Sequence, residues 1–146
     1  MNNKTLETAL LEQKEEFLVN LSKDYCTRPE EKLVNLNSKL AQVVIGIRRS
    51  GKSTLCLNVI KRSKLSFAYV NFDDERLNNT KAEDLNQILQ YLYKIYGDFN
   101  HLFIDEIQNV EGWYLFVNRL LRTEMHILIT GSNAKLLSGE LATHLT

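Results

Sequence analysis

"VVIGIRRSGKSTL", Val43 to Leu55, is the stretch on which the reading of this chain turns. Two glycines, Gly46 and Gly51, flank four residues and are followed at once by Lys-Ser-Thr, directly after a short apolar run. Gly46 to Ser53 fits G-x-x-x-x-G-K-[ST] without a mismatch, a pattern that chance supplies in on the order of 1 in 200 chains of this length. Glycine at both ends permits backbone angles and close approaches that a Cβ would block. The loop can then turn successive N–H groups inward as an anion nest. A helix opening near Lys52 adds its N-terminal dipole to the same spot. In that cradle Lys52 reaches the β- and γ-phosphates, Ser53 supplies a ligand to Mg²⁺ and Thr54 touches the α-phosphate. The candidate nucleotide-binding residues are therefore Gly46, Arg48, Arg49, Ser50, Gly51, Lys52, Ser53 and Thr54. Arg48 and Arg49 carry two readings of equal weight: cations that steer nucleotide or meet a neighbouring element, and solvated loop cations.

Outward from this loop the pattern alternates. "QVVIGI" from Gln42 is too short for a helix and suits a strand buried on both faces. Residues 52–63 continue as a helix, and "SFAYVNF" (66–72) is the next strand. Thr80 and Glu83 have capping-box spacing and open a helix with Leu85, Ile88, Leu89, Leu92 and Ile95 on its apolar face, ended by Gly97. "HLFID" (101–105) is a third strand, 113–123 a helix, "HILIT" (126–130) a fourth strand, and 133–137 begin one more helix. Before the loop, 5–25 read as an amphipathic helix with Leu6, Leu10, Phe17 and Leu21 in one stripe and Leu11, Leu18 and Tyr25 beside it. A second helix is expected at 28–40, with Thr27 and Glu30 as its capping box and Pro29 in the first turn. Strands separated by helices mean right-handed crossovers and a parallel sheet covered on both faces. The fold class is α/β, with residues 1–41 as an N-terminal helical arm and 42–146 as a phosphate-loop core.

The second block of chemistry is "HLFIDEIQ", His101 to Gln108. Apolar Leu102, Phe103 and Ile104 put Asp105 at the carboxyl end of a buried strand, the edge where open parallel sheets hold their ligands. An Asp there can complete the Mg²⁺ site begun by Ser53, and Glu106 can polarise a water for in-line attack. The tip of the fourth strand, Thr130, Gly131, Ser132 and Asn133, offers a polar side chain to the attacking water or γ-phosphate. A helix cap explains Ser132 and Asn133 equally well. The catalytic candidates are Lys52, Glu106, Ser132 and Asn133; the metal candidates are Ser53 and Asp105. Tyr25 and Arg28 are placed to touch a nucleotide base, and no metal-ligand spacing links His101, His126 and His144.

Bulk composition narrows the classes. Of 146 residues, 44% are hydrophobic and 25% charged, and Lys plus Arg equals Asp plus Glu at 18 each. There is no global basic field for nucleic acid or an anionic membrane. Nucleic-acid contact stays open for a longer protein but is not indicated by this portion, and self-association is open. The charged N-terminus is not a signal or transit peptide, and no apolar run approaches the roughly 20 residues that span a bilayer. Cys26 and Cys56 form no CxxC pair, so a reducing cytoplasm is the expected location.

"GIRRSGKSTL", "FIDEIQ" followed by Trp113, and "ILITGSNAKLLSGELATHLT" together resemble a prokaryotic AAA+-type P-loop ATPase family over roughly residues 25–146. Its members carry an N-terminal ATPase domain and a C-terminal domain of unknown function. The resemblance implies a three-layer P-loop NTPase fold with strand order 1-4-3-2, Walker A at Gly46–Ser53 and Thr54, Walker B at Asp105 and Glu106, and a sensor near Ser132–Asn133. It implies ATP and Mg²⁺ as ligands and the protein's own C-terminal region as partner. Family members continue past "GELATHLT" with Gly-Arg, a strand flanking the phosphate-loop strand, and a lid. This chain is thereby expected to be an ATPase domain missing its fifth strand, its lid, any second sensor arginine and any arginine finger the family supplies from there. Loss of such a finger lowers turnover by about 10³–10⁵.

Three classes compete. An ATPase driving a C-terminal effector accounts for the Asp-Glu pair. A small-molecule or nucleoside kinase shares the loop but needs an arginine lid, which the sequence does not display. A nucleotide-dependent interaction module without turnover describes a domain of this extent equally well. A GTPase lacks its NKxD tetrad here.

Overall fold

The computed structural model describes residues 2–46 and 51–132, which form four strands and four α-helices. The order is α1 (Asn3–Leu21), β1 (Gln42–Ile45), α2 (Lys52–Ser63), β2 (Ala68–Asn71), α3 (Leu85–Tyr96), β3 (His101–Asp105), α4 (Trp113–Arg122) and β4 (His126–Gly131). The strands make one parallel sheet in the order β1-β4-β3-β2, as the 1-4-3-2 expectation requires. The fold is the three-layer α/β arrangement expected. The helix expected at 133–137 lies outside the described residues, as does any further strand beyond β4.

Both faces of the sheet are apolar because alternate side chains of each strand go to opposite layers. Val70, Leu102, Ile104, Ile127 and Ile129 share one core with Leu85, Ile88, Leu89 and Leu92 of α3 and with Trp113, Phe116, Val117 and Leu120 of α4. Phe103 and Leu128 face the other way, onto Cys56, Leu57 and Ile60 of α2. α3 carries its buried residues at 3.6-residue intervals and stops at Gly97, whose φ of 77° few other residues adopt.

α1 packs against β2, α2 and α3, so it runs beside the free edge of β2 and reaches both layers. Leu6 and Leu10 enter one core and Phe17 the other, whereas Leu11 and Leu18 are exposed. The edge is covered chemically as well. The buried Gln13 amide donates to the Asn71 carbonyl at 3.1 Å, and its oxygen accepts the Asn71 N–H at 3.0 Å. The same amide donates to Asp74 at 3.1 Å.

Two local expectations need correction. Residues 28–40 hold one 3-10 turn, Pro29–Leu33, and not a helix. Its capping carboxylate is Glu31, one residue after Glu30, accepting the Arg28 N–H at 2.8 Å. Beyond it, side chains of Asn35, Ser38 and Gln42 bond backbone N–H groups at 37, 40 and 35, which gives the backbone an alternative to a helical ladder. Likewise the segment before α3 is capped by Asp84 on the Lys81 N–H at 2.9 Å, while the Thr80 hydroxyl donates to the Leu77 carbonyl at 2.7 Å. Among the described residues no helix is long and apolar enough to cross a membrane.

Gln13→Leu leaves the Asn71 peptide groups under-satisfied and is expected to lower stability by about 2–3 kcal/mol, read as the urea midpoint at unchanged m. Asp74 gives a pH signature to the same corner. The Arg76 guanidinium beside it holds its carboxyl down at about 2, against an ordinary value of 3.8. A depressed folded value means stabilisation that is present above pH ~4 and lost as pH falls toward ~2. Asp74→Asn should flatten the stability profile in that window, measured by urea unfolding from pH 5 to 2.

Candidate functional site

Helix α2 starts at Gly51. Gly51 is its N-cap with φ 86°, and its carbonyl accepts the Leu55 N–H at 2.9 Å, the first bond of the helix. The positive φ favours glycine at this position, and a Cβ here would also displace the Arg28 guanidinium, whose Nη2 would lie 2.0 Å away. Gly46 continues the β1 pairing, its N–H donating to the Gly131 carbonyl at 3.2 Å. Arg48, Arg49, Ser50 and Asn133 lie outside the described residues.

Asp105 ends β3 with a buried carboxylate that receives hydroxyl donors from three other elements. Ser53 of α2 donates at 3.1 and 3.2 Å to its two oxygens, Tyr69 of β2 at 3.0 Å to Oδ2, and Thr130 of β4 to Oδ1. Burial pushes the Asp105 carboxyl above its ordinary value, and the Thr130, Tyr69 and Ser53 hydrogen bonds oppose that shift. Burial, with the charge of Asp105 next, pushes the Tyr69 phenol far up, so it remains a donor. The same two causes push the buried Cys56 thiol up and keep it neutral.

Glu106 follows with φ 57° and ψ 50°, a left-handed conformation that costs an ordinary residue roughly 1–2 kcal/mol. Its N–H donates to Thr130 Oγ1 at 3.1 Å, which fixes the turn. Its carboxylate pairs with Lys52 Nζ at 2.7 Å, both side chains buried, and accepts from the Gln108 amide. A cleft of about 500 Å³ joins these groups, lined by Gly51, Lys52, Ser53, Thr54, Asn71, Asp73, Asp105 and Glu106.

Beside it, between the Pro29–Leu33 turn and β1, an apolar groove of about 670 Å³ runs past Lys52, lined in part by Arg28, Leu33, Val34, Val43 and Leu55. Arg28 is held here because buried Glu31 ties its turn to α2, pairing with Arg62 at 3.1 Å and accepting from Asn58 at 3.1 Å. Tyr25 packs instead on the α2 core.

The structure thus brings Lys52, Ser53, Thr54, Asp105 and Glu106 into one cleft, while Ser132 stands half-buried just past the end of β4. Sequence reasoning missed Tyr69, Asn71 and Asp73, and it weighed the β4 tip only as a sensor or a cap. Thr130 instead braces Asp105 and Glu106. The available signal was "AYVNFDD", polar residues interrupting and following an apolar strand next to the one that carries Asp105.

Residues 38–146 match the protein family described as "AAA domain". The chain is 46% identical over 105 residues to an uncharacterized protein of Methanocaldococcus jannaschii, covering 71% of this chain and 24% of that one. It is 40% identical over 113 residues to an uncharacterized protein of Haemophilus influenzae, covering 72% of this chain and 28% of that one. The chain spans about a quarter of the length of these relatives.

The Lys52–Glu106 pair makes a direct test of the buried electrostatics. Lys52→Met should cost about 3 kcal/mol by stranding a buried carboxylate, whereas adding Glu106→Gln should recover part of that loss. Urea unfolding of the two single variants and the double variant would show it; strictly additive losses would contradict the pairing.

Proposed function

The chain belongs to the AAA domain family of nucleotide-binding, AAA-type ATPases, and from that membership we propose that it binds ATP with Mg²⁺ and hydrolyses the terminal phosphoanhydride. The observation that carries this reading is one cleft in which a cation, a hydroxyl and two carboxylates meet at the start of α2 and the end of β3. Lys52 and the N–H groups opening α2 would hold the β- and γ-phosphates. Glu106 pairs with Lys52 at 2.7 Å. Phosphate binding would exchange that carboxylate for phosphate oxygens and leave Glu106 to take the proton of an attacking water. Arg28 and the apolar groove beside β1 suit the nucleoside end.

The donor set suits Mg²⁺. Ser53 Oγ and the Asp105 carboxylate are hard oxygen donors already within 3.2 Å of each other. Among the described residues no three His, Cys, Asp or Glu side chains converge as a metal site, and a Mg²⁺ held through one carboxylate, water and substrate phosphates needs none. When bound with nucleotide, Mg²⁺ would neutralise charge on the β- and γ-phosphate oxygens. Residues 1–41 as a helical arm and 42–146 as the ATPase core remain our division of the chain. Coupling to a C-terminal effector and a cytoplasmic setting complete the proposal, with Ser132 and Asn133 as sensor candidates.

A second reading, a nucleotide-dependent interaction module without turnover, is favoured by the Lys52–Glu106 pair, since a buried ion pair keeps the base engaged. Calorimetric titration of ATP and ADP with and without Mg²⁺, followed by phosphate release on the same samples, separates the two. Binding should be lost in folded Lys52→Met. In Glu106→Gln, binding should persist while phosphate release falls by about 10²-fold or more. Equal release from wild type and Glu106→Gln would remove Glu106 from the chemistry.

A further inference from the structure

The proposed metal ligand Asp105 is gripped from both sides of its own strand. Thr130 of β4 donates to Oδ1 and Tyr69 of β2 donates to Oδ2, the latter at 3.0 Å. An ionised carboxylate offers about four lone-pair sites. The two strand-borne donors take one on each oxygen, and Ser53, the other proposed metal ligand, is shared between the two oxygens. Thr130 is a short side chain on a central strand, fully buried, and needs no further support. Tyr69 is a long side chain on the strand next to the edge helix, and its phenol stays on Asp105 only while its ring is held.

The ring is held by aromatic stacking. Tyr69 lies parallel to Phe17 of α1, with centroids 4.8 Å apart and planes 10° apart. It also meets Phe103, its register partner on β3, at 5.2 Å and 50°. Phe17 is itself buried and touches Phe103 at 6.3 Å, so the three rings close into one cluster. Aromatic pairs in this geometry add about 0.5–1.5 kcal/mol beyond burial, enough to disfavour other rotamers. A phenol serving only to fill this layer would need no hydroxyl, because Phe fills the same volume.

We propose that Tyr69 is a positioning residue for the divalent-cation site: stacked on Phe17, it fixes the Asp105 carboxylate so that α1 sets the affinity of the cleft for Mg²⁺. The inference rests on the reading of Asp105 as the Mg²⁺ ligand. It extends the metal site to an element some fifty residues earlier in the chain than β2, and it assigns the N-terminal helix a part in nucleotide binding as well as in covering the sheet edge. Partners that orient a metal ligand through hydrogen bonds typically change metal affinity by about 10–100-fold when removed.

The test titrates MgCl₂ into the purified chain at fixed ADP, by calorimetry, for wild type, Tyr69→Phe and Phe17→Leu. Tyr69→Phe keeps the stacked ring and deletes only the hydroxyl. Its Mg²⁺ half-point should rise by about tenfold, while ADP affinity in EDTA and the thermal midpoint stay close to wild type. Phe17→Leu keeps the hydroxyl and loosens the ring, and should raise the half-point by a smaller factor, about two- to threefold. A Tyr69→Phe half-point within twofold of wild type would overturn the inference and leave the ATPase reading intact. An equal loss of ADP affinity without metal would also overturn it, since that marks a general packing role. If ADP binding by wild type is indifferent to Mg²⁺, the assignment of Asp105 falls first and the role of Tyr69 falls with it.

Discussion

A carboxylate placed at the end of a buried strand must be given donors, and the structure around Asp105 is arranged by that requirement. Leaving such a group unsatisfied in an apolar interior costs several kcal/mol. Here the donors come from α2, β2 and β4, so one side chain on β3 ties four elements together at the carboxyl edge of the sheet. Strand order makes this possible. With β3 between β4 and β2, a residue on either neighbour lies one strand spacing away, and parallel register brings Asn71 level with Asp105. The interaction that gathers the site therefore also holds the order of the strands that form it.

Glu106 extends the same logic by one residue. Continuing as extended chain would send its side chain to the opposite face from Asp105. The left-handed turn at φ 57° returns it to the cleft, where Lys52 waits at 2.7 Å. Thr130 links the two acids, donating to one carboxylate and accepting the N–H of the other residue. Strain at a non-glycine residue persists only where surrounding contacts over-determine it, and three elements supply those contacts here. The consequence is that one turn carries both acids to the same side of the sheet edge, each held by a named partner.

What the sequence made legible is what lies close together along the chain. The glycine, lysine and hydroxyl residues of the loop, the start of α2 at Lys52 and the end of β3 at Asp105 all follow from local spacing, and the structure brings the loop and strand residues to one cleft. The strand order came with the family resemblance, not from periodicity. Tyr69 was not legible, because its part depends on a residue 36 positions away that only sheet pairing brings near. The helix expected over 28–40 failed for a local reason that periodicity overlooks: leucines at helical intervals cannot outweigh Asn35, Asn37 and Ser38, whose side chains favour turns. Capping boxes were misplaced by one residue twice, at Glu31 and Asp84, since several acidic residues in a row leave the spacing rule without a unique answer.

The two borders of the sheet are treated differently, and the difference bears on how the cleft works. Beside β2 the edge is closed by α1, with Gln13 bonding both backbone groups of Asn71. Asn71 lines the cleft, so the helix that covers the edge also fixes a wall of the site. Beside β1, among the described residues, pairing is one-sided, toward β4. All four β1 residues are half-buried, and exposed Leu33 flanks the adjoining groove. An edge strand with apolar surroundings is a ready template for another segment or for a flat apolar ligand. The groove beside β1 runs past Lys52, whereas α1 meets the acids from the β2 side, through Phe17 on Tyr69 and Gln13 on Asn71. Asp105 and Glu106 thus stand on the side of the sheet that α1 covers, and Lys52 stands between them and the groove beside β1.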